Sequence, residues 1–405
     1  MRTARAFSLV ELMVAVFLMA ILAPVIFYFI AGQGGGFDSS ATLGKMQQQG
    51  SLGLDLLRTA ARHAGSGFTA CNYGSSVNQL KIWKTSSFST TKALSVLDRT
   101  VGPDCFVVRY FDAADTVADA RLTSAFGTRL DLTVSSTAQV QLAVDNATNW
   151  TATGTFALLW GDNSTPNTSG YCTLFRVTAI SGSTLTCAST DAYNVAFGNT
   201  QTTAFPSGGY LAGSSNDGDR VGNPGNLKIE RYWVDTSNNQ LVMDPAFSAC
   251  DADTAHFPPS DPGTFCTTPC TSAVTASTTN VPEVVADGVE DLQLATGCDA
   301  VGGSDGVLCE CTTASSCYPL GSTCGTAYTG PANDDWIGND VADVGSTSCS
   351  GKERALRMTM VIREPAASNF PGQRPAAENR AAGSANDGYR RYVLRVTERT
   401  TSIQQ

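Results

Sequence analysis

Arg5-Ala6-Phe7-Ser8-Leu9-Val10-Glu11-Leu12-Met13-Val14-Ala15-Val16 opens an apolar run that continues from Phe17 to Ala31 with no further charge. Phe7 to Ala31 is twenty-five residues, and Glu11 is the only side chain among them that is charged at neutral pH. As a helix rising about 1.5 Å per residue, the run is roughly 37 Å long, enough to cross a hydrocarbon core of about 30 Å. A secretory signal shares the short basic start, Arg2 and Arg5, but its apolar stretch is shorter and ends at a small-residue cleavage site. This run is longer and carries a carboxylate in its first turns. A carboxylate in hydrocarbon costs a few kcal/mol, so Glu11 points to function, and its natural partner is an α-amino group on a neighbouring helix of the same kind.

Composition sets the class of the remainder. The 405 residues are 42% hydrophobic and 15% charged, long enough for one large or two ordinary domains. The net charge is −10; without Arg2 and Arg5 the counts become 24 Lys+Arg against 36 Asp+Glu, or −12. That balance argues against a nucleic-acid surface. Thirteen cysteines, from Cys71 to Cys349, meet only two histidines, His63 and His256, and form no Cys-x-x-Cys pair. Zinc spacing is therefore absent, and disulfides in an oxidising compartment are the expected use, the odd number leaving at least one thiol over.

Pro24 lies inside the apolar helix, where it removes one backbone bond and is expected to kink the rod. Gly32 and Gly34 to Gly36 are expected to break the helix as it leaves the bilayer, with Asp38, Ser39 or Ser40 capping the next one. Leu43, Met46, Gly50, Leu54, Leu57, Ala61 and Ala64, spaced 3, 4, 4, 3, 4 and 3, then mark one face of an amphipathic helix. Gln47, Gln48, Asp55, Arg58 and Arg62 fall on its other faces.

Residues 80–245 read as strands. Leu80–Trp83, Cys105–Phe111, Gln139–Val144 and Thr155–Trp160 are β-branched or aromatic runs bounded by turn residues. Leu174–Thr178 and Thr184–Cys187 flank the hairpin signal Ser181-Gly182-Ser183. Residues 246–280 and 297–350 are rich in Cys, Thr, Ser, Pro and Gly and read as stapled insertions. Val284–Leu294 between them is a regular element. Ala355–Ile362 and Arg391–Thr397 alternate as closing strands around a loop at 365–388. The fold class is α+β: a long helix packed on an antiparallel β-sheet head.

The leader Ala6-Phe7-Ser8-Leu9-Val10-Glu11 resembles the class III signal of type IV pilins and type II secretion pseudopilins. The resemblance implies prepilin-peptidase cleavage between Ala6 and Phe7, N-methylation of Phe7, and a role for Glu11 in assembly; the residue before the cut is usually Gly, and here it is Ala6. Lys45-Met46-Gln47-Gln48-Gln49-Gly50, Leu54-Asp55-Leu56-Leu57-Arg58 and Arg62-His63-Ala64-Gly65 are similar to the helix of PilW-like minor pilins. Tyr171–Gly182 and Ile229–Val234 resemble later strands of that family, and Val284–Gln293 resembles an element also seen in J-type pseudopilins.

These resemblances imply a leader at 1–6, a filament-core helix at 7–31, an amphipathic helix at 38–65, a β-rich head at 66–245, cysteine-rich insertions at 246–350 and closing strands at 351–405. They also imply a minor pilin that helps initiate a type IV pilus at its tip or periphery. Its partners would be other pilins, the prepilin peptidase and an inner-membrane assembly platform. The head would be periplasmic before assembly and extracellular afterwards. Two further readings stay open: a J-type pseudopilin, and a pilus-mounted adhesin using residues 246–350.

Two acidic clusters are candidates for calcium, Asn216-Asp217-Gly218-Asp219 and Asn333-Asp334-Asp335 with Asn339, Asp340 and Asp343. Neither fits an EF-hand loop, and ordinary Asx turns account for both, so no cofactor is expected. Catalysis is not expected either: there is no nucleophile elbow, zincin helix or P-loop, and nothing in the sequence positions acidic pairs such as Glu290/Asp291.

Overall fold

The computed structural model describes residues 9–66, 79–84, 87–92, 94–99, 101–112, 117–121, 139–148, 150, 156–160, 172–188, 220–223, 226–244, 282–299, 308–313, 316–318, 334–338, 352–365, 373–378, 380–383 and 389–399. One helix, α1, runs without interruption from Leu9 to His63. The break expected at Gly32–Gly36 does not occur. Glycine costs a helix about 1 kcal/mol per residue but does not forbid helical geometry, and flanking turns propagate through it. Pro24 lies within the same continuous helix. The chain divides into two compact units, Met1–Gln49 and Gly50–Gln405.

In chain order the described strands of the second unit are β1 (Gln79–Lys84), β2 (Ser87–Lys92), β3 (Leu94–Leu97), β4 (Cys105–Asp112), β5 (Val117–Arg121), β6 (Gln139–Ala143), β7 (Phe156–Trp160), β8 (Cys172–Arg176), β9 (Ala179–Ser181) and β10 (Thr184–Ala188). They continue as β11 (Arg220–Asn223), β12 (Asn226–Asp235), β13 (Gln240–Asp244), β14 (Glu283–Asp287), β15 (Val289–Asp299), β16 (Glu310–Thr313), β17 (Ser316–Tyr318), β18 (Trp336–Ile337), β19 (Lys352–Pro365) and β20 (Tyr389–Arg399). All pairings are antiparallel except that of β1 with β8. The hairpin turn stands where expected, but its first strand is β9 rather than Leu174–Thr178, most of which lies in β8 and pairs with β7 and β1. β9 and β10 pair across Gly182-Ser183, and Gly182 takes φ 57°, the left-handed conformation that glycine adopts without penalty.

Two sheets carry the core. The central sheet has the order β14-β13-β12-β4-β3, and the C-terminal sheet the order β18-β15-β19-β20. The chain passes from one to the other at Gly288, between β14 and β15. Gly288 has φ 73°, its carbonyl accepts the Arg363 N–H at 2.7 Å, and a Cβ there would lie 2.9 Å from the Arg363 carbonyl oxygen. Val284–Leu294, expected as one regular element, is therefore two strands in two sheets hinged on a glycine.

From Gly50 onward α1 packs against both sheets. Gly53 faces Leu241 and Ala286 of the central sheet and Met360 of the C-terminal one; a Cβ on Gly50 would collide with Ile362 and Leu394. Leu54, Leu57, Ala60, Ala61 and Ala64 are buried beside them, while Asp55 and Thr59 are exposed. Small residues on this face let the helix backbone approach the sheets closely. Leu43, assigned to the same apolar face by its spacing, is 45% exposed. On the opposite side of the central sheet Phe111 meets Phe156 of β7 edge-on, with ring centroids 6.4 Å apart. That sheet is thus covered on both faces, which explains why β4 reads as a continuous apolar run from Cys105 to Val108, all four residues buried.

Charges finish the packing. Glu398 of β20 accepts from Arg58 Nε at 3.1 Å and from Arg62 Nε at 2.7 Å, so two residues one turn apart on α1 grip the last strand. Burial acts to raise the Glu398 carboxyl, but the hydrogen bonds and charges of Arg62 and Arg58 outweigh it and hold the group below its usual range. Within the central sheet, Arg231 and Asp244 form a buried pair at 3.0 Å.

Asp104 joins the two sheets. Its carboxylate accepts the backbone N–H groups of Arg99 and Leu294 at 2.7 Å each, and its own N–H donates to Leu292 at 2.8 Å. Burial, followed by the charge of Asp98, pushes its carboxyl well up. A raised carboxyl disfavours the folded state when ionised, so Asp104 contributes most at low pH and progressively less as pH rises through its folded value.

Two outcomes follow for the detergent-solubilised full chain. Gly288→Ala, which forces a Cβ into a left-handed corner against a carbonyl, lowers unfolding free energy by about 1–3 kcal/mol, read by denaturant titration. Glu398, with its lowered carboxyl, contributes stability that is complete above the ordinary glutamate range and lost as pH falls through its folded value. Glu398→Gln accordingly removes that component of the acid dependence, while a stability–pH profile unchanged by the substitution contradicts the clamp.

Candidate functional site

The first candidate is the apolar part of α1. Leu9–Phe29 is a 21-residue span long and apolar enough to cross a membrane, about 31 Å at 1.5 Å per residue. Its side chains are exposed on every face: Leu9, Val10, Leu12, Met13, Val14, Val16 and Phe17 on the first turns, and Phe27, Tyr28 and Phe29 on the last. A helix that is apolar all round is stable only when lipid or other helices surround it. Glu11 sits in the first turn, where its carboxylate complements the partial positive charge of a helix N-terminus. It is the single anionic group on a surface otherwise built to leave water. Ala6 and Phe7, expected to flank the cleavage site, lie outside the described residues. Pro24 lies about three-quarters of the way along the span.

The second candidate is acidic. Asp334 and Asp335 were read from sequence as calcium ligands or Asx-type residues. Asp334 accepts the backbone N–H of Trp336 at 2.8 Å through one oxygen and that of Cys311 at 2.9 Å through the other. Asp335 accepts the Cys309 N–H at 2.9 Å, and its carbonyl accepts that of Cys298. Both residues are buried; the Asp334 side chain ties β18 to β16, the Asp335 side chain holds Cys309, and the Asp335 carbonyl reaches β15. Asn333, Asn339, Asp340, Asp343 and the cluster at 216–219 lie outside the described residues. Among the described residues, no group of three or more His, Cys, Asp and Glu is placed to hold a metal ion.

The Glu290/Asp291 pair is engaged in ion pairs. Arg391 holds Glu290 with bonds of 2.6 and 3.1 Å. Asp291, fully buried, pairs with Arg380 and with Arg374, the latter at 3.2 Å. Burial raises the Asp291 carboxyl, while the two arginines and the Gln293 amide pull it back without cancelling the shift. Both carboxylates are fixed by cations on their own chain, an arrangement that holds structure together. His63, exposed near the end of α1, lies with its ring 5.6 Å from that of Tyr110. Tyr110 and Tyr232 both donate to Glu230, at 2.7 and 2.8 Å.

Sequence reading did not find the Arg58/Arg62–Glu398 clamp or the ion pairs around Asp291. The i,i+4 spacing of Arg58 and Arg62 was a usable signal, but their partner stands more than 330 positions along the chain. Asp334→Ala leaves the Cys311 and Trp336 N–H groups unpaired in a buried site and lowers unfolding free energy by about 1–3 kcal/mol, whether or not calcium is present, as thermal melts with calcium and with a chelator would record.

No curated protein and no solved structure matches the chain. A family model, the prokaryotic N-terminal methylation motif, matches residues 1–23. It covers the leader and most of the apolar span described above, including Glu11. This motif and the exposed apolar helix behind it are those of the type IV pilin-like class of proteins, which are anchored in a membrane before they assemble.

Proposed function

We propose that this protein is a PilW-like minor pilin that helps initiate a type IV pilus, present in low copy at the tip or periphery of the filament. The observation that carries the reading is a methylation-motif helix exposed on all faces, bearing one carboxylate in its first turn and joined to a large head. Prepilin peptidase cuts between Ala6 and Phe7 and methylates Phe7. Removal of Arg2 and Arg5 takes away the cytoplasmic charge that fixes the helix in the bilayer. Glu11 then pairs with the freed amine of a neighbouring subunit, each compensating the other's desolvation, and the helix enters the filament core.

Size argues for low copy number, since a head of about 340 residues repeated at every position crowds its neighbours. The head matures on the far side of the membrane; Cys105, Cys298, Cys309 and Cys311, which are disulfide-bonded, support an oxidising compartment. The protein has no catalytic role and needs no cofactor.

Deleting the gene tests the role: few or no surface pili is the expected result. Intact pili with a failure to export protein substrates would instead identify a J-type pseudopilin. Complementation with Glu11→Ala gives a protein that inserts and is cleaved but is missing from sheared filaments, as immunoblots of membrane and filament fractions would show. Normal incorporation of that variant contradicts the pairing role.

A further inference from the structure

Between β19 and β20, the described residues 373–378 and 380–383 form a strap over the outer face of the C-terminal sheet, the face opposite α1. Register puts Asp291 opposite Val361, Gln293 opposite Thr359 and Ala295 opposite Arg357, and brings Arg395 alongside Thr359. The described part of the loop, residues 373–378 and 380–383, lies over these side chains. Ala377 and Arg380 bridge each other, and Gly383 bonds back to Arg374. Among the described residues, all the backbone hydrogen bonds of this strap stay within it. Side-chain charge fastens it to the sheet.

One of those fastenings has the form of a receptor. Glu378 enters with a side chain only 1% exposed. Its Oε2 accepts from Arg357 Nε at 3.0 Å and from Nη2 at 2.6 Å, so two N–H groups of one guanidinium converge on a single carboxylate oxygen. Its Oε1 accepts from the Thr359 hydroxyl and lies 3.1 Å from Arg395 Nε. Arg357 is itself pre-set: Glu310 holds its third nitrogen at 2.8 Å, and its guanidinium lies over the Trp336 ring at 4.4 Å. Arg357, Thr359 and Arg395 come from two adjacent strands, and Arg395 Nε also lies 3.2 Å from the Thr359 hydroxyl.

Glu378 itself is seated at a cost. It has φ 46°, a left-handed conformation unusual for a non-glycine residue, and is one of two such residues among those described. A strap whose described residues reach the sheet through side chains, with its anchoring residue in a disfavoured conformation, opens more readily than the strands beneath it.

We infer that Arg357, Thr359 and Arg395 form a carboxylate-binding site on the outer face of the C-terminal sheet, occupied in the resting protein by Glu378 of the strap and available to an acidic peptide segment when the strap lifts. The second fastening, Arg374 and Arg380 on Asp291, sets how readily it lifts.

The test uses the detergent-solubilised full chain. Hydrogen exchange of the wild-type protein comes first: the amides of Ala377 and Arg380 exchange at least about 10-fold faster than those of Leu292 and Met360, through an opening that leaves the sheet intact. Equal protection of strap and sheet overturns the inference, because the receptor then never empties. Glu378→Gly removes the internal carboxylate and relieves the backbone, and acetate serves as the probe. The variant shows a saturable rise in Tm of about 1–2 °C with sodium acetate over sodium chloride at equal ionic strength, and the wild type shows less. No acetate-specific rise, or the same rise in both proteins, overturns the site. Should Glu378→Gly fail to fold, the wild-type exchange comparison decides the matter.

Discussion

An apolar helix exposed on all faces cannot remain in water, and the rest of the molecule is organised around where that helix goes. Twenty-one residues from Leu9 to Phe29 present apolar side chains in every direction, with one carboxylate, Glu11, near the start. Lipid satisfies the apolar surface but not Glu11. A bundle of like helices satisfies both, provided that each brings a positive end to meet its neighbour's carboxylate. On the proposed function the same segment is stable in two environments, and the pairing of Glu11 decides between them.

The head is built to ride on the same helix. Gly50 and Gly53 bring the α1 backbone close to two sheets, and Gly288 hinges one sheet into the next so that both lie under the helix. Arg58 and Arg62 then grip Glu398 on the final strand, closing the C-terminal end of the chain onto the helix. Any pull on the head portion of α1 is carried into strands at both ends of the head. That suits the proposed function, in which the subunit is drawn from a membrane by its helix.

Much of this was legible in the sequence, for identifiable reasons. The β-branched and aromatic run Cys105–Phe111, the alternating run Ala355–Ile362 and the glycine turn at 182 are local signals, and the strands and the turn formed where those signals stood. The buried positions Leu54, Leu57, Ala61 and Ala64 followed from helical spacing. Gly32–Gly36 misled because glycine lowers helix propensity without excluding the helix, and propagation from both sides prevails. The hinge at Gly288 was hidden because a left-handed glycine between two strands looks like an ordinary irregularity until the partners of each strand are known. The ion pairs were the least legible: Asp291 with Arg374 and Arg380, Glu378 with Arg357 and Arg395, and Glu398 with the helix join residues that only the tertiary fold brings together.

The central claim is that Leu9–Phe29 leaves the membrane to join a filament after processing at Ala6. N-terminal mass spectrometry of this protein from sheared, washed surface filaments tests it most directly. A peptide beginning at methylated Phe7 is the result the account requires. Filaments that lack the protein, with the uncleaved chain beginning at Met1 recovered only from membranes, would contradict it.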